Sequence, residues 1–147
     1  MSNYQHILIA ADFSDHNNRV CEKGRAIADR NQAKLSICHI VEDFPITDFA
    51  YEPMISVDID MRDALLDSAK KQITELANTL EIPTENQWVE FGSPNRDIVR
   101  LSEENQIDLI VVGSHGRHGI QLLLGSTANG VLHHAKCDVL AVRLQDT

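Results

Sequence analysis

Apolar residues along this chain follow two alternating patterns. Short unbroken apolar runs are typical of strands buried on both faces. Between them lie longer segments in which apolar residues recur every three or four positions, as in an amphipathic helix. Strands are predicted at residues 6–11, 35–41, 87–91, 108–112 and 138–143. The alternation predicts one α/β domain over residues 1–147, a doubly wound fold with a five-stranded, mainly parallel sheet and helices on both faces.

Polar residues and prolines mark where the helices begin. Ser14 or Asp15 is expected to cap the first helix, and the Ser93-Pro94 pair is expected to open the third. The longest helix is predicted over about residues 58–80, after an irregular and acidic connection over residues 42–57. Connections of that length are uncommon unless they serve a function.

The net charge of the chain limits the kinds of molecule that it is expected to bind. The formal net charge is −9, and such a surface repels nucleic acid and anionic membranes because both are bound through clustered lysine and arginine. No apolar stretch approaches the ~20 residues of a membrane-spanning helix, and no basic, apolar leader opens the chain. We therefore expect a cytoplasmic protein without nucleic-acid or membrane partners. Three scattered cysteines without a CxxC pair indicate neither a disulfide framework nor a zinc site.

Candidate binding residues are those that follow the predicted strands, because open parallel α/β sheets bind ligands at the carboxyl ends of their strands. Asp12 follows the first strand, and a glycine-rich loop, GSHGRHG, begins at Gly113 after the fourth. Successive N–H groups in such a loop form an anion-binding nest, to which Arg117 adds a positive charge. The next helix starts at Gly125-Ser126-Thr127, where N–H groups and the helix dipole also favour phosphate. On spacing alone, phosphate binding and a purely structural turn remain equally open.

Two familiar nucleotide motifs are missing from the chain. Neither GxxxxGK[ST] nor GxGxxG occurs, and no lysine lies between Lys71 and Lys136. The usual lysine clamp on the β- and γ-phosphates is therefore absent, and fast phosphoryl transfer is not indicated. No catalytic constellation can be argued from the spacing of the histidines, and none of them is expected to hold a metal.

Four segments together resemble the universal stress protein family over nearly the whole chain. They are HILIAADFS near the start, GSHGRHG, GSTANGVLHHA, and CDVLAVR near the end. The ATP-binding branch of that family carries the signature G-x2-G-x9-G-[ST]. Gly113 and Gly116 match its first half, and Gly125-Ser126 match its second. Here, however, eight residues separate Gly116 from Gly125 instead of nine.

The resemblance implies ATP as the bound cofactor, with Mg²⁺ as a cation that can accompany it. Ala10 and Ile40 would flank the adenine, and Asp12 would accept hydrogen bonds from the ribose hydroxyls. The alternative for Asp12 is a local cap on the first helix. The residues implied at the phosphates are Gly113, Gly116, Gly125, Ser126 and Thr127, and Arg117 is added to them because of its charge and its place in the loop.

The last predicted strand suggests a partner. It begins at Asp138, ends at Arg143, and is expected at the edge of the sheet, where unpaired strands act as templates for another chain. The resemblance implies a homodimer through this strand and a regulatory role toward a further protein that the sequence does not identify. Two other functions stay open: a nucleotide-independent dimeric interaction module, and a slow ATPase or autokinase with Ser126 or Thr127 as acceptor.

Overall fold

The nine main elements in the described part of the chain follow the order that the apolar pattern predicts. A computed structural model describes residues 3–42, 55–114 and 124–143. Most of the predicted connection over residues 42–57 lies outside these ranges. The elements are β1 (His6–Ala10), α1 (Asn17–Asn31), β2 (Lys34–Glu42), α2 (Ile55–Leu80), β3 (Gln87–Gly92), α3 (Pro94–Glu104), β4 (Leu109–Gly113), α4 (Ser126–His134) and β5 (Asp138–Val142).

The five strands form one sheet in the order β3-β2-β1-β4-β5. All four strand pairings are parallel, so the described sheet is parallel throughout. The chain first winds from β1 outward to β3 and then from β4 outward to β5. This order makes β1 the central strand and leaves β3 and β5 at the two edges. The predicted edge position of the last strand is therefore confirmed.

Two apolar layers pack on opposite faces of the sheet because successive side chains of a strand point to opposite sides. The layer beneath α1 and α2 is built on Ile7, Ile9, Leu35, Ile37, Leu109 and Val111. The layer beneath α3 and α4 is built on Leu8, Ala10, Cys38, Ile40, Ile110 and Val112. Helices thus cover both faces, which confirms the doubly wound α/β fold.

Two helix starts differ from the sequence prediction. α2 begins at Ile55, three residues before the predicted start near residue 58, so the end of the predicted connection is already helical. α1 begins at Asn17, and its capping residue is His16, which makes no side-chain capping bond. The expectation that Ser14 or Asp15 caps this helix was wrong. The physical reason is a separate turn before the helix, in which the Ser14 N–H donates to Asp12 Oδ1 at 2.9 Å and the Asn17 N–H donates to the Ser14 carbonyl at 3.1 Å.

α3 begins where the sequence predicts, but a different side chain caps it. Ser93 occupies the capping position without making a side-chain capping bond. Instead, its N–H donates to Asp97 Oδ2 at 2.8 Å. Gly92 packs so tightly against the Asp97 carboxylate that an added Cβ would overlap it.

Within the described residues, no helix is both long and apolar enough to cross a membrane.

Candidate functional site

A crevice forms at the carboxyl edge of the sheet because β1 and β4 stop pairing before they end. β1 stays in register with β2 up to Ala10 and Cys38. β4 stays in register with β5 up to Gly113 and Val142. The pairing of β1 with β4 ends earlier, at Ile9 and Val111. Because the chain leaves these two neighbouring strands in opposite directions, this edge is the topological switch point, where doubly wound sheets bind ligands.

The two ends of the glycine-rich loop meet beside this crevice. The Ser114 N–H donates to the Val142 carbonyl at 2.9 Å, and the Gly125 N–H donates to the Ser114 carbonyl at 2.7 Å. Ser114 is buried, with 7% of its surface exposed. These bonds join Gly113 at the end of β4 to Gly125 at the start of α4, so the shortened spacing does not keep the loop ends apart. Gly116 and Arg117 lie outside the described residues.

The amino end of α4 is an N-terminus without a side-chain cap. Gly125 is the capping residue, and among the described residues no side-chain capping bond is made there. The first bond of the helix runs from the Asn129 N–H to the Gly125 carbonyl at 2.9 Å. The N–H groups of Ser126, Thr127 and Ala128 therefore precede the helical hydrogen-bond ladder. Ser126 is exposed and Thr127 is half-buried, so the turn can receive an anion from solvent.

Asp12 follows β1 at the same edge, and one of its oxygens already has a partner. Oδ1 accepts the Ser14 N–H at 2.9 Å, and the Asp12 N–H donates to Asn17 Oδ1 at 3.4 Å. Asp12 thus stabilises the turn before α1, but it is not the cap on that helix that the sequence left as an alternative, because α1 has no side-chain cap. Oδ2 makes no hydrogen bond within the described part of the chain, so one oxygen remains for a ligand.

Phe13 holds the turn after β1 in a conformation that the sequence did not signal. Its φ of 59° lies in the left-handed region, which is strained for a bulky residue. Its ring packs on His39 with the centroids 4.0 Å apart. His39 Nδ1 in turn lies 2.6 Å from the Ala11 carbonyl. This contact gives the His39 ring a hydrogen-bond partner and ties the turn after β1 to β2.

Ala10 and Ile40, implied by the resemblance at the adenine, are largely withdrawn from solvent. Their exposed fractions are 9% and 5%, and both side chains pack in the layer beneath α3 and α4. They lie on the same face of neighbouring strands, with Ala10 paired to Cys38 two residues before Ile40. Any ligand at this edge would therefore meet mainly their backbone atoms.

An ion-pair cluster fixes the neighbouring end of β3 and the start of α3. Arg100 contacts Glu90 at 2.6 Å and Asp97 at 3.2 Å. Burial alone would raise the pKa of Asp97, but hydrogen bonds from Arg96, the Ser93 N–H and Arg100 outweigh it and hold that pKa below its ordinary value. Asp97 is therefore a charged structural cap.

No group of three or more His, Cys, Asp or Glu side chains in residues 3–42, 59–114 and 124–143 could hold a metal ion.

Comparisons with known proteins agree with this architecture along the whole chain. The model of the universal stress protein family matches residues 3–143. Universal stress protein A homolog 2 of Coxiella burnetii is 43% identical over 146 residues, which cover 99% of both chains.

Solved structures give the same result. Universal stress protein UspA from Lactobacillus plantarum superposes with a TM-score of 0.81 at 25% identity, over 99% of this chain and 100% of that one. A universal stress protein in complex with cAMP superposes with a TM-score of 0.63 at 27% identity, over 97% of this chain and 98% of that one. The matched residues and the shared fold show that the chain belongs to the universal stress protein family, a family of stress-response modules.

Proposed function

We propose that this protein is an ATP-binding stress-response module that acts as a dimer, and that the crevice between β1 and β4 is its nucleotide site. The observation that carries the proposal is the bond between Gly125 and Ser114, 2.7 Å long. It holds the uncapped end of α4 against the carboxyl end of β4. Backbone N–H groups and a helix dipole are thereby gathered where a polyphosphate could bind.

The phosphate end of the proposed site relies on backbone groups and hydroxyls rather than on lysine. The N–H groups of Ser126, Thr127 and Ala128 point out of the first turn of α4, and two of these residues add hydroxyl donors. Gly113, Gly116 and Arg117 complete this part of the proposal. A net charge of −9 opposes a polyanion, so Mg²⁺ is expected to bind together with the phosphates.

The nucleoside end of the proposed site lies at β1 and β2. Asp12 Oδ2 is the acceptor proposed for a ribose hydroxyl, and the backbone of Ala10 and Ile40 is proposed beside the adenine. The related stress protein in complex with cAMP supports this assignment, because cAMP and ATP share adenine, ribose and phosphate. The two ligands must therefore be compared directly in any binding experiment.

The first test identifies the nucleotide that the protein carries. Freshly purified protein is denatured, and the released small molecules are analysed by mass spectrometry. Calorimetric titrations with ATP, ADP, AMP and cAMP follow, with and without Mg²⁺. We expect ATP to be recovered or to bind at micromolar concentration. An empty protein that gives no heat with any of these nucleotides would leave the nucleotide-independent interaction module as the better account.

A double substitution tests the position of the phosphates. Gly125 has φ −62° and ψ 158°, which valine can adopt, and no positive φ is recorded at Gly113. Gly113→Val with Gly125→Val should therefore keep the fold while the added side chains occupy the space at the end of α4. ATP affinity should be lost, whereas Ser68→Ala, at an exposed serine in α2, should bind as the wild type does. Unchanged affinity in the double variant would contradict the proposed site.

The dimer is proposed to form along the strand from Asp138 to Arg143. β5 lies at the sheet edge, and Val139, Leu140 and Ala141 are only half-buried there. Light scattering after size exclusion should give a dimer at micromolar concentration, and Val139→Lys should give a folded monomer because an edge lysine opposes pairing. A monomeric wild type would refute the dimer.

The remaining parts of the proposal concern location and chemistry. The protein is proposed to act in the cytoplasm on a protein partner still to be identified. Incubation with γ-labelled ATP separates binding from a slow ATPase or autokinase. We expect neither free phosphate nor labelled protein, because no lysine clamp is present between Lys71 and Lys136. Labelling at Ser126 or Thr127 would favour the autokinase instead.

A further inference from the structure

Ser14 carries a buried hydroxyl that has no hydrogen-bond partner among the described residues. Its Oγ is withdrawn from solvent, and no described donor or acceptor bonds to it. Native proteins satisfy the large majority of buried polar side-chain atoms, so such an atom needs an explanation. A capping role would be the ordinary one for a serine just before a helix, but α1 has no side-chain cap. None of the described residues therefore gives this hydroxyl a structural role.

The unpaired hydroxyl belongs to the turn that also holds Asp12. The Ser14 N–H donates to Asp12 Oδ1 at 2.9 Å, which fixes the two residues against each other. Phe13 between them is held in its left-handed conformation by the contact with His39. Both Asp12 and Ser14 are half-buried residues, and Asp12 Oδ2 has no partner among the described residues. A carboxylate oxygen and a hydroxyl, neither with a hydrogen-bond partner among the described residues, thus occur two residues apart in the turn that follows β1.

We propose that Ser14 is a further binding residue, which together with Asp12 recognises the two neighbouring hydroxyls of a ribose. A carboxylate only accepts hydrogen bonds, whereas a serine hydroxyl both donates and accepts. Two hydroxyls on adjacent carbons match this pair, since one can donate to Asp12 Oδ2 while the other bonds to Ser14 Oγ. A phosphate does not match, because it would lie beside the negative charge of Asp12.

Ligand binding requires the serine side chain to turn. In the ligand-free chain Oγ is buried while the rest of the residue is half-exposed. Rotation about χ1 by about 120° moves the hydroxyl to another staggered position. The ligand would then supply the hydrogen bond that the hydroxyl lacks. This inference rests on the proposed nucleotide function and adds to it a second residue, beside Asp12, that contacts a ribose hydroxyl.

The experiment compares ATP with 2′-deoxy-ATP and 3′-deoxy-ATP by calorimetry in the presence of Mg²⁺. The wild type should bind ATP about tenfold more tightly than at least one of the two deoxynucleotides. Ser14→Ala should lose about tenfold in ATP affinity. It should lose much less for the deoxynucleotide that lacks the contacted hydroxyl, so that discrimination disappears. Ser14→Thr keeps a hydroxyl and should keep the discrimination, and Ser68→Ala should change nothing.

Thermal unfolding of the ligand-free proteins gives a second readout that ligand binding does not influence. Removing an unsatisfied buried hydroxyl should raise the Tm of Ser14→Ala by roughly 2–5 °C, whereas loss of a structural hydrogen bond would lower it. Undiminished discrimination in Ser14→Ala, or a lowered Tm, would overturn the inference while leaving the proposed function intact. If the wild type bound none of the three nucleotides, both the function and the inference would fail, and this would be seen before any variant was made.

Discussion

α1 packs closely on the central strand β1 at Gly24. Whether Gly24→Ala raises or lowers the stability of the protein therefore depends on one neighbouring side chain, that of Ile9. Gly24 lies inside α1, and a Cβ added there would be 2.5 Å from Cγ1 and 2.6 Å from Cδ1 of Ile9. Ordinary carbon contacts are about 3.5 Å or longer, so the added methyl is roughly 1 Å too close. Ile9 is fully buried in β1, and side chains in a close-packed core can shift only by displacing their neighbours. Gly24→Ala should therefore strain the core.

Two opposing contributions to the free energy of unfolding determine how much Gly24→Ala changes stability. Alanine improves helix propensity over glycine by about 1 kcal/mol, and overpacking a core costs about 1–3 kcal/mol. Gly24→Ala alone should thus lower the free energy of unfolding by about 1 kcal/mol. Ile9→Ala alone should lower it by about 2–5 kcal/mol. Once Ile9 is shortened, the nearest remaining atom is its Cβ at 4.0 Å, so the added methyl fits and Gly24→Ala becomes stabilising.

The assay is a double-mutant cycle. Urea unfolding of the wild type, both single variants and the double variant is followed by Trp88 fluorescence and circular dichroism, at one protein concentration. We expect a coupling free energy of about 2 kcal/mol between the two sites. If Gly24→Ala changes stability by the same amount in both backgrounds, or stabilises the wild type, the close approach of α1 to β1 is not what requires glycine.

Three further predictions concern charge and burial. Asp97→Ala should destabilise the protein by about 2–3 kcal/mol, because it removes the α3 cap and its contacts with charged partners. Glu104 pairs with the same Arg100 but is exposed, so Glu104→Ala should cost less than about 1 kcal/mol. Equal effects of the two substitutions in urea unfolding would contradict this assignment. Burial, together with the nearby positive charge of a lysine, lowers the pKa of His6, so below pH ~6.5 the unfolded chain takes up a proton that the native state resists. Stability should therefore fall from pH 7 to pH 5, and a His6→Gln variant with the same pH slope would refute the assignment. Burial raises the pKa of Cys38 to about 12 and that of Cys21 to about 11, so iodoacetamide at pH 8 should label neither thiol before unfolding, as followed by mass spectrometry; labelling in the native protein would contradict their burial.

Local sequence patterns determined the fold class and the general place of the candidate site. The unbroken apolar runs predicted buried parallel strands, because such strands need apolar residues on both faces. The residues after each run then had to lie at one edge of the sheet, which is why Asp12 and Gly113 could be named in advance. The apolar pattern says less about how much of a short helix is buried. Leu132 directly follows the buried Val131 in α4 but is 43% exposed, because a nine-residue helix near the edge strand buries only a narrow stripe around Ala128 and Val131.

Features that depend on contacts between distant residues were decided by the tertiary structure alone. Neither the strand order nor the early parting of β1 from β4 can be read from local patterns, since both depend on which strands pair. The meeting of Ser114 with Gly125 likewise depends on how the loop closes. Phe13 shows most clearly what local patterns cannot predict. Bulky residues disfavour a left-handed backbone, and packing on His39 must offset that preference. The unpaired Ser14 hydroxyl follows from the same turn, since a local pattern predicts a helix cap there and only the folded chain leaves the hydroxyl without a partner.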